Sequence, residues 1–404
     1  MKVFAKGLNF MGQLGQGNFK SLEHFALIPD LQNMGIKQLE ANMTQSFALL
    51  QDGQLLHWGW QLDTMTENRT LSFYKRNPTL CKLWQKYSPL GTMLSMRGGI
   101  VQPVLLNKPI IDAPIKSFQV GGSFIIIQMN DGVCYGMGEN YKGQLGNGEL
   151  KYQFQFKQLQ LPTKDKVIQV GCGYQHSLLL TEGGVVYGSG KRNHYQFTET
   201  RKNDQDQIYV EFTQHRQLMD IRNQKIQRIS SGAHHTILQV SDNRIYACGL
   251  NIYGQCGMNN EIDRIKEPTE VFLDLQPNES IQQIVSGQAH NLVLTSNNRL
   301  IFFGCLLHNQ MGIKSKFDFE FSGQTEINLP LEQDEKIVKI YAKFDRSAVI
   351  TSKGDCIIWG GQDLRYMDIP YYETYTRLIP ELGLENVKIQ DIALGFSHIM
   401  VLTD

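Results

Sequence analysis

No apolar run in the 404 residues approaches the roughly 20 needed to cross a bilayer as a helix. The opening residues, MKVFAKGLNFMG, also lack the apolar stretch of a secretory leader. These absences predict a cytoplasmic protein, cytoskeletal and ciliary assemblies included, with no membrane span and no cleavable targeting peptide; an internal organelle signal needs no leader and stays open. The seven cysteines form no CxxC pair and one is left over from complete pairing, which excludes a full disulfide framework and the common zinc motifs. Net charge is missing too: 39 Lys and Arg stand against 39 Asp and Glu, leaving no whole-molecule field to draw in nucleic acid, and none is predicted as a partner. Nucleophile elbows, HExxH and paired-carboxylate motifs are absent, so no catalytic, metal or cofactor residue is assigned and the chain reads as no enzyme. Gly188 to Lys191 (GSGK) lacks the spacing of a phosphate loop, with Arg192 at the magnesium-ligand position, and reads as a turn. Asn-x-Ser/Thr triplets at Asn42, Asn68 and Asn278 accept glycans only in the secretory pathway and read as chance matches.

With 12 prolines, 37 glycines and 41% hydrophobic residues, the chain is globular and rich in tight turns. Its dominant feature is repetition. An apolar strand, Gly-x-x-His, a second apolar strand, a turn, a third strand ending in Gly, and Gly-Gln-x-Gly recur at intervals of about 50 to 60 residues, the scale of a four-stranded propeller blade. Val167 to Phe197 (VIQVGCGYQHSLLLTEGGVVYGSGKRNHYQF) aligns with Ile226 to Gly257 and Ile281 to Gly312. Gly173 and His176, Gly232 and His235, Gly287 and His290, and Gly395 and His398 thereby fall at one phase. Gly143, Gln144 and Gly146 define the second element. Ile115 to Gly146 has Phe124 at the histidine position, while two weaker copies have Asn42 with Gln45 and Lys343 with Arg346 at the Gly and His positions. The dipeptides Asp52-Gly53, Asp131-Gly132, Gly183-Gly184, Asp242-Asn243, Asn297-Asn298 and Lys353-Gly354 all mark the place where a tight hairpin needs positive φ.

The final copy, Val387 to Asp404, stops where such a hairpin is due, and Val3 to Gly15 supplies the missing third strand and a Gly-Gln-Leu-Gly segment. The two ends therefore share one blade, which completes seven and leaves no open ring edge. The expected fold is all-β: one seven-bladed β-propeller domain over residues 1–404, closed by a blade shared between the termini. The Gly-x-x-His elements and the Gly-Gln-Leu-Gly segments at Gly12 to Gly15 and Gly143 to Gly146 make the chain resemble the regulator of chromosome condensation repeat family over nearly its whole length. Family members that sense ultraviolet light rely on clustered tryptophans; here only Trp58, Trp60, Trp84 and Trp359 exist, and Trp58 and Trp359 share a strand-end phase that implies blade packing.

Four histidines at one repeat position are set apart around a ring and cannot share one ion. Each is expected instead to satisfy buried backbone groups beside its own glycine. The segment 61–114, between the second and third repeats, is longer than its neighbours require and basic. Asn77-Pro78-Thr79 reads as a helix start, with Leu80, Leu83, Trp84 and Tyr87 at helical spacing. Either that stripe packs on the protein's own rim, or Arg69, Lys75, Arg76, Lys82, Leu83, Trp84, Lys86 and Tyr87 dock a partner, the tryptophan as anchor and the charges for steering. A polar excursion at 198–223, between the fourth and fifth repeats, reads as a loop plus an outer strand carrying Ile208, Val210 and Phe212. The functional expectation is a protein-protein interaction scaffold, a fixed subunit of a larger assembly; the alternative implied by the family resemblance is nucleotide exchange on a small Ras-like GTPase. No cofactor is expected.

Overall fold

The structure, a computed structural model, describes residues 1–60, 99–106, 113–197, 208–214, 221, 224–241, 243–258, 261–312, 321–362 and 370–404. Among the described residues it contains seven four-stranded antiparallel sheets. In the fourth blade the strands run outward from the ring axis as Val167–Cys172, His176–Thr181, Val186–Lys191 and Ile208–Gln214. The second strand of a blade is wholly buried, as in His176–Thr181 and Phe124–Met129, because a neighbouring sheet covers each of its faces; this explains its nearly unbroken apolar run. Innermost strands such as Ile36–Ala41 alternate instead, one face toward the neighbouring sheet and one toward the axis. The core is thus divided among the seams between sheets. Phe47, Leu49 and Leu55 of the second blade, for example, pack on Phe118, Ile125 and Ile127 of the third, each such side chain contributing about 2 kcal/mol.

The hairpin glycines and asparagines predicted to need positive φ all have it: Gly53, Gly132, Gly184, Asn243, Asn298 and Gly354 lie between +63° and +90°. Ring closure also follows the sequence. Lys2–Gly7 pairs antiparallel with His398–Thr403, from Lys2 opposite Thr403 to Gly7 opposite His398, while Leu22–Leu27 and Ile389–Leu394 complete that sheet. Of the segment 61–114, Ile100–Leu105 forms the outer strand of the second blade and residues 61–98 and 107–112 lie outside the described residues. In the polar excursion 198–223, Ile208–Gln214 is the outer strand of the fourth blade, with Phe212 buried. Gly188 to Lys191 belongs to a third strand, not the turn the sequence suggested. Its glycines serve close packing there: Gly188 lies under the Phe197 ring, and Gly190, at φ +103°, abuts the Gln175 carbonyl.

Side chains at the third position of the innermost strands stitch blade to blade. Gln169 donates to the Ile229 carbonyl at 2.8 Å and accepts from the Ile229 amide at 2.9 Å. Gln283 does the same with the Val338 carbonyl and the Ile340 amide. At the ring closure Asp391 accepts from the Leu39 amide at 2.8 Å. The hairpins add a second row: Asn243 accepts from the Ile281 amide and Asn298 from the Ile337 amide. The seven innermost strands enclose an axial cavity of about 480 Å³. Lys343 reaches across it from the seventh blade, ion-pairing with Glu40 at 2.7 Å and donating to the Val120 carbonyl at 3.2 Å, so a single side chain ties three blades together.

Candidate functional site

The repeat histidines His176, His235, His290 and His398 are fully buried. Their expected partner, backbone beside each one's own glycine, is not what the imidazoles find. Nε2 of His235, His290 and His398 meets Asn291 Oδ1, Ser347 Oγ and Ser46 Oγ on the next blade, at 2.9, 2.9 and 2.7 Å. Ser46 and Ser347 spend their single proton on the carbonyls of Gln13 and Gln310, so the imidazole must be the donor in those pairs and is held as the neutral Nε2–H tautomer. Nδ1 of all four rings lacks a hydrogen-bond partner. The ring edge instead rests on the repeat glycine, and a Cβ at Gly173, Gly232, Gly287 or Gly395 would drive into Cε1 of the histidine three residues on.

That contact accounts for the irregular copies. Phe124 keeps a ring in place and keeps Gly121. Gln45 and Arg346 put no ring there, and the glycine is released to Asn42 and Lys343. Asn42 bonds Gln45 at 2.6 Å, and the buried Arg346 guanidinium donates to the carbonyls of Gly395, Phe396 and Pro370. Gly232→Ala is therefore expected to lower stability by roughly 1–3 kcal/mol. In a His235→Ala background it should cost little. Additive losses in a denaturant double-mutant cycle would refute the contact.

The Gly-Gln-x-Gly loops are pinned from within. Gly143 and Gly146 adopt φ +72° and +57°, and Gln144 Oε1 accepts from the Lys142 amide at 2.9 Å. The sequence reading missed the asparagine three residues before the glutamine-bearing glycine: Asn9, Asn140 and Asn251 accept from the amides of Leu14, Leu145 and Cys256 at 2.8 to 3.0 Å. The signal, Asn-x-x-Gly-Gln, was present in all three copies. Arg69, Lys75, Arg76, Lys82, Leu83, Trp84, Lys86 and Tyr87, and the helix they were read on, lie outside the described residues. Trp58 and Trp359 are fully buried between blades, with Trp359 Nε1 donating to the Gln310 carbonyl.

The turns after the innermost strands and the loops after the third strands open on the same face of the ring. Peptide bonds link several of these turns directly: the amides of Tyr174, Ala233 and Gln288 donate to the carbonyls of Ala233, Gln288 and Phe344. On the third to fifth blades this face gathers Glu139, Lys142, Tyr174, Lys191, His194 and His234. The His194 and His234 rings lie 4.9 Å apart, and Tyr174 meets His234 edge-on at 6.0 Å. Burial holds His234 down to about 3 and His194 to about 4, with nearby positive charge adding to both. Burial also raises the Glu139 carboxyl to about 7, despite hydrogen bonds from Gln144 and Ser123 and the charge of Lys142.

Seven sheets of four strands closed by the two chain ends make this a closed β-propeller whose accessible chemistry lies in its face loops. Residues 2–401 match the RCC1-like domain, and the chain belongs to that family. It is 25% identical over 321 residues to the ultraviolet-B receptor UVR8 of Arabidopsis thaliana, covering 80% of this chain and 64% of the relative. It is 25% identical over 330 residues to an RCC1-like G exchanging factor-like protein of Mus musculus, covering 75% and 68%. The chain spans less than two thirds of several curated relatives, 58% of the protein RCC2 homolog of Danio rerio for instance. Among solved structures, yeast RCC1 (Prp20) bound to Kap60 superposes with a TM-score of 0.76 at 19% identity, covering 99% of this chain and 88% of the other. Human WBSCR16 gives 0.75 at 17%, covering 100% of both. No helix among the described residues is long and apolar enough to cross a membrane.

Proposed function

We propose that the chain is a non-catalytic interaction scaffold, a fixed subunit of a larger assembly in the cytoplasm. The observation that carries this reading is the stitching: amide and carboxylate side chains lock the innermost strands together between the first and second, fourth and fifth, and sixth and seventh blades, so the face loops sit on a frame that resists deformation. A preorganised surface loses little freedom on binding and suits stable docking. The solved relatives are described by their partners, Kap60 in one case and Gsp1p and histones in another. Gentle affinity purification from the native cell, with and without added GTP, is expected to recover the same partners in near-equal amounts from both samples. A protein that emerges alone and monodisperse would overturn the reading.

The name of the mouse relative supports a second reading, exchange of guanine nucleotide on a small GTPase. A partner recovered only without GTP, together with faster release of fluorescent GDP from that partner, would establish exchange in place of a fixed scaffold.

A further inference from the structure

Three consecutive blades bring cations together on the loop face without an ion-paired carboxylate for any of them among the described residues. Lys142 comes from the loop of the third blade, Lys191 from the end of the third strand of the fourth, and Arg264 from the start of the outer strand of the fifth. Gly190 abuts Gln144, which sets the first two loops side by side. Burial lowers the Lys191 ammonium below its ordinary range and the charge of Lys142 lowers it further. Arg264 and Lys191 likewise act on His194. Two like charges close enough to disfavour each other, in partial burial, are costly unless something neutralises them. Among the described residues, no carboxylate forms an ion pair with Lys142, Lys191 or Arg264. The nearby acid, Glu139, raised by burial to about 7, is only about half ionised near neutrality and supplies a fraction of a charge.

The floor between these cations is polar and unsatisfied. Nδ1 of His194, Nδ1 of His234 and Oε1 of Glu139 are buried without hydrogen-bond partners. Polar atoms of this kind normally find partners, and here they cluster where the cations converge. Beside Arg264, Ile262 and Ile252 are 55% and 40% exposed, so the cationic ground has an apolar border. Isolated phosphate has no use for that border; an acidic peptide segment with apolar neighbours matches both.

We infer that the loop face of the third to fifth blades is a docking pocket for an acidic segment of a protein partner, whose carboxylate is received by Lys142 and Lys191 with Arg264 at the rim. The proposal rests on the scaffold reading and gives its partner a chemistry. Charge-assisted bonds to a partly buried ammonium are stronger than those at an open surface, and they set register as well as affinity.

The test is titration of the purified full chain with a fluorescein-labelled peptide of alternating glutamate and leucine at low salt. The Lys142→Gln, Lys191→Gln double variant is compared with a Lys336→Gln, Lys353→Gln control on the opposite face. The control should bind as the wild type does, and the double variant about tenfold or more weakly, with unchanged melting. Should the double variant melt early, Arg264→Gln alone, on an exposed side chain, is expected to weaken binding several-fold. Equal affinity in wild type, double variant and Arg264→Gln overturns the pocket. Displacement of the peptide by inorganic phosphate at matching concentration overturns the acidic-segment assignment. Partners still recovered from cells by the double variant would sink the pocket and leave the scaffold standing, whereas no partner recovered by the wild type would remove the scaffold itself.

Discussion

Removal of residues 395–404 is expected to convert a soluble, cooperatively melting protein into one that aggregates on expression, because the lost strand sits inside the ring. His398–Thr403 has Lys2–Gly7 on one side and Ile389–Leu394 on the other, so its loss leaves two unpaired strand edges facing each other across a gap. Ile399, Met400, Val401 and Leu402 are fully or almost fully buried, each contributing roughly 1.5–3 kcal/mol. Together they are comparable with the roughly 5–15 kcal/mol that holds a whole domain folded. The deletion also takes the acceptor carbonyls of Gly395 and Phe396 from the buried Arg346, which would leave that charge with the Pro370 carbonyl as its remaining acceptor inside the seventh blade. Solubility and calorimetric cooperativity check this. A truncated chain that stays soluble and melts in one sharp transition would show that blade closure is dispensable.

Acid is expected to unfold the protein well above the pH at which carboxylates usually matter. Burial holds His176, His290 and His398 down to about 3 and His235 to about 4, against about 6.5 in an unfolded chain. The structural cause is visible: in at least two of these rings the proton sits on Nε2, and a second proton would have to go to an Nδ1 buried against glycine with no acceptor. Because the folded values lie below the unfolded one, the unfolded chain binds more protons between them. Stability is thus fully present above about pH 6.5 and is lost as pH falls toward 4. At pH 5 each buried histidine costs on the order of 2 kcal/mol, so four of them rival the whole stability. Glu335, held at about 2 by Arg377, adds a separate loss only at lower pH, between the ordinary carboxylate value and 2. Urea midpoints at pH 7, 6 and 5 measure the effect, and His398→Gln should make the pH dependence shallower by about one proton. A midpoint that stays flat from pH 7 to 5 would mean that the repeat imidazoles are accessible to protons.

The fold was legible in the sequence because its determinants are local and repeated. Positive φ after each second strand restricts residue choice to Gly and Asn, and six copies at one phase reveal the hairpins. The glycine of Gly-x-x-His is readable for a similar reason, since only glycine tolerates the ring three residues on. What the histidine bonds to was not legible: its partner is on the next blade, more than fifty residues away, and changes from Ser46 to Asn291 to Ser347. Lys343 looked like a degenerate glycine position, whereas in space it bridges the axis to Glu40. The cationic ground around Lys142, Lys191 and Arg264 leaves no spacing signature, because propeller geometry assembles it from three separate repeats.

The pairing of Lys2–Gly7 with His398–Thr403 also has a consequence for how the ring comes into being. Contacts between the two extremes of a chain are the slowest to form, since a loop of nearly the full length must close before they return any energy. Of the ring's strands, Lys2–Gly7 is made before the others, and it must wait, unpaired on one side, until residue 403 has emerged. Six blades can take shape as they are synthesised, but the first one begun is the last one finished.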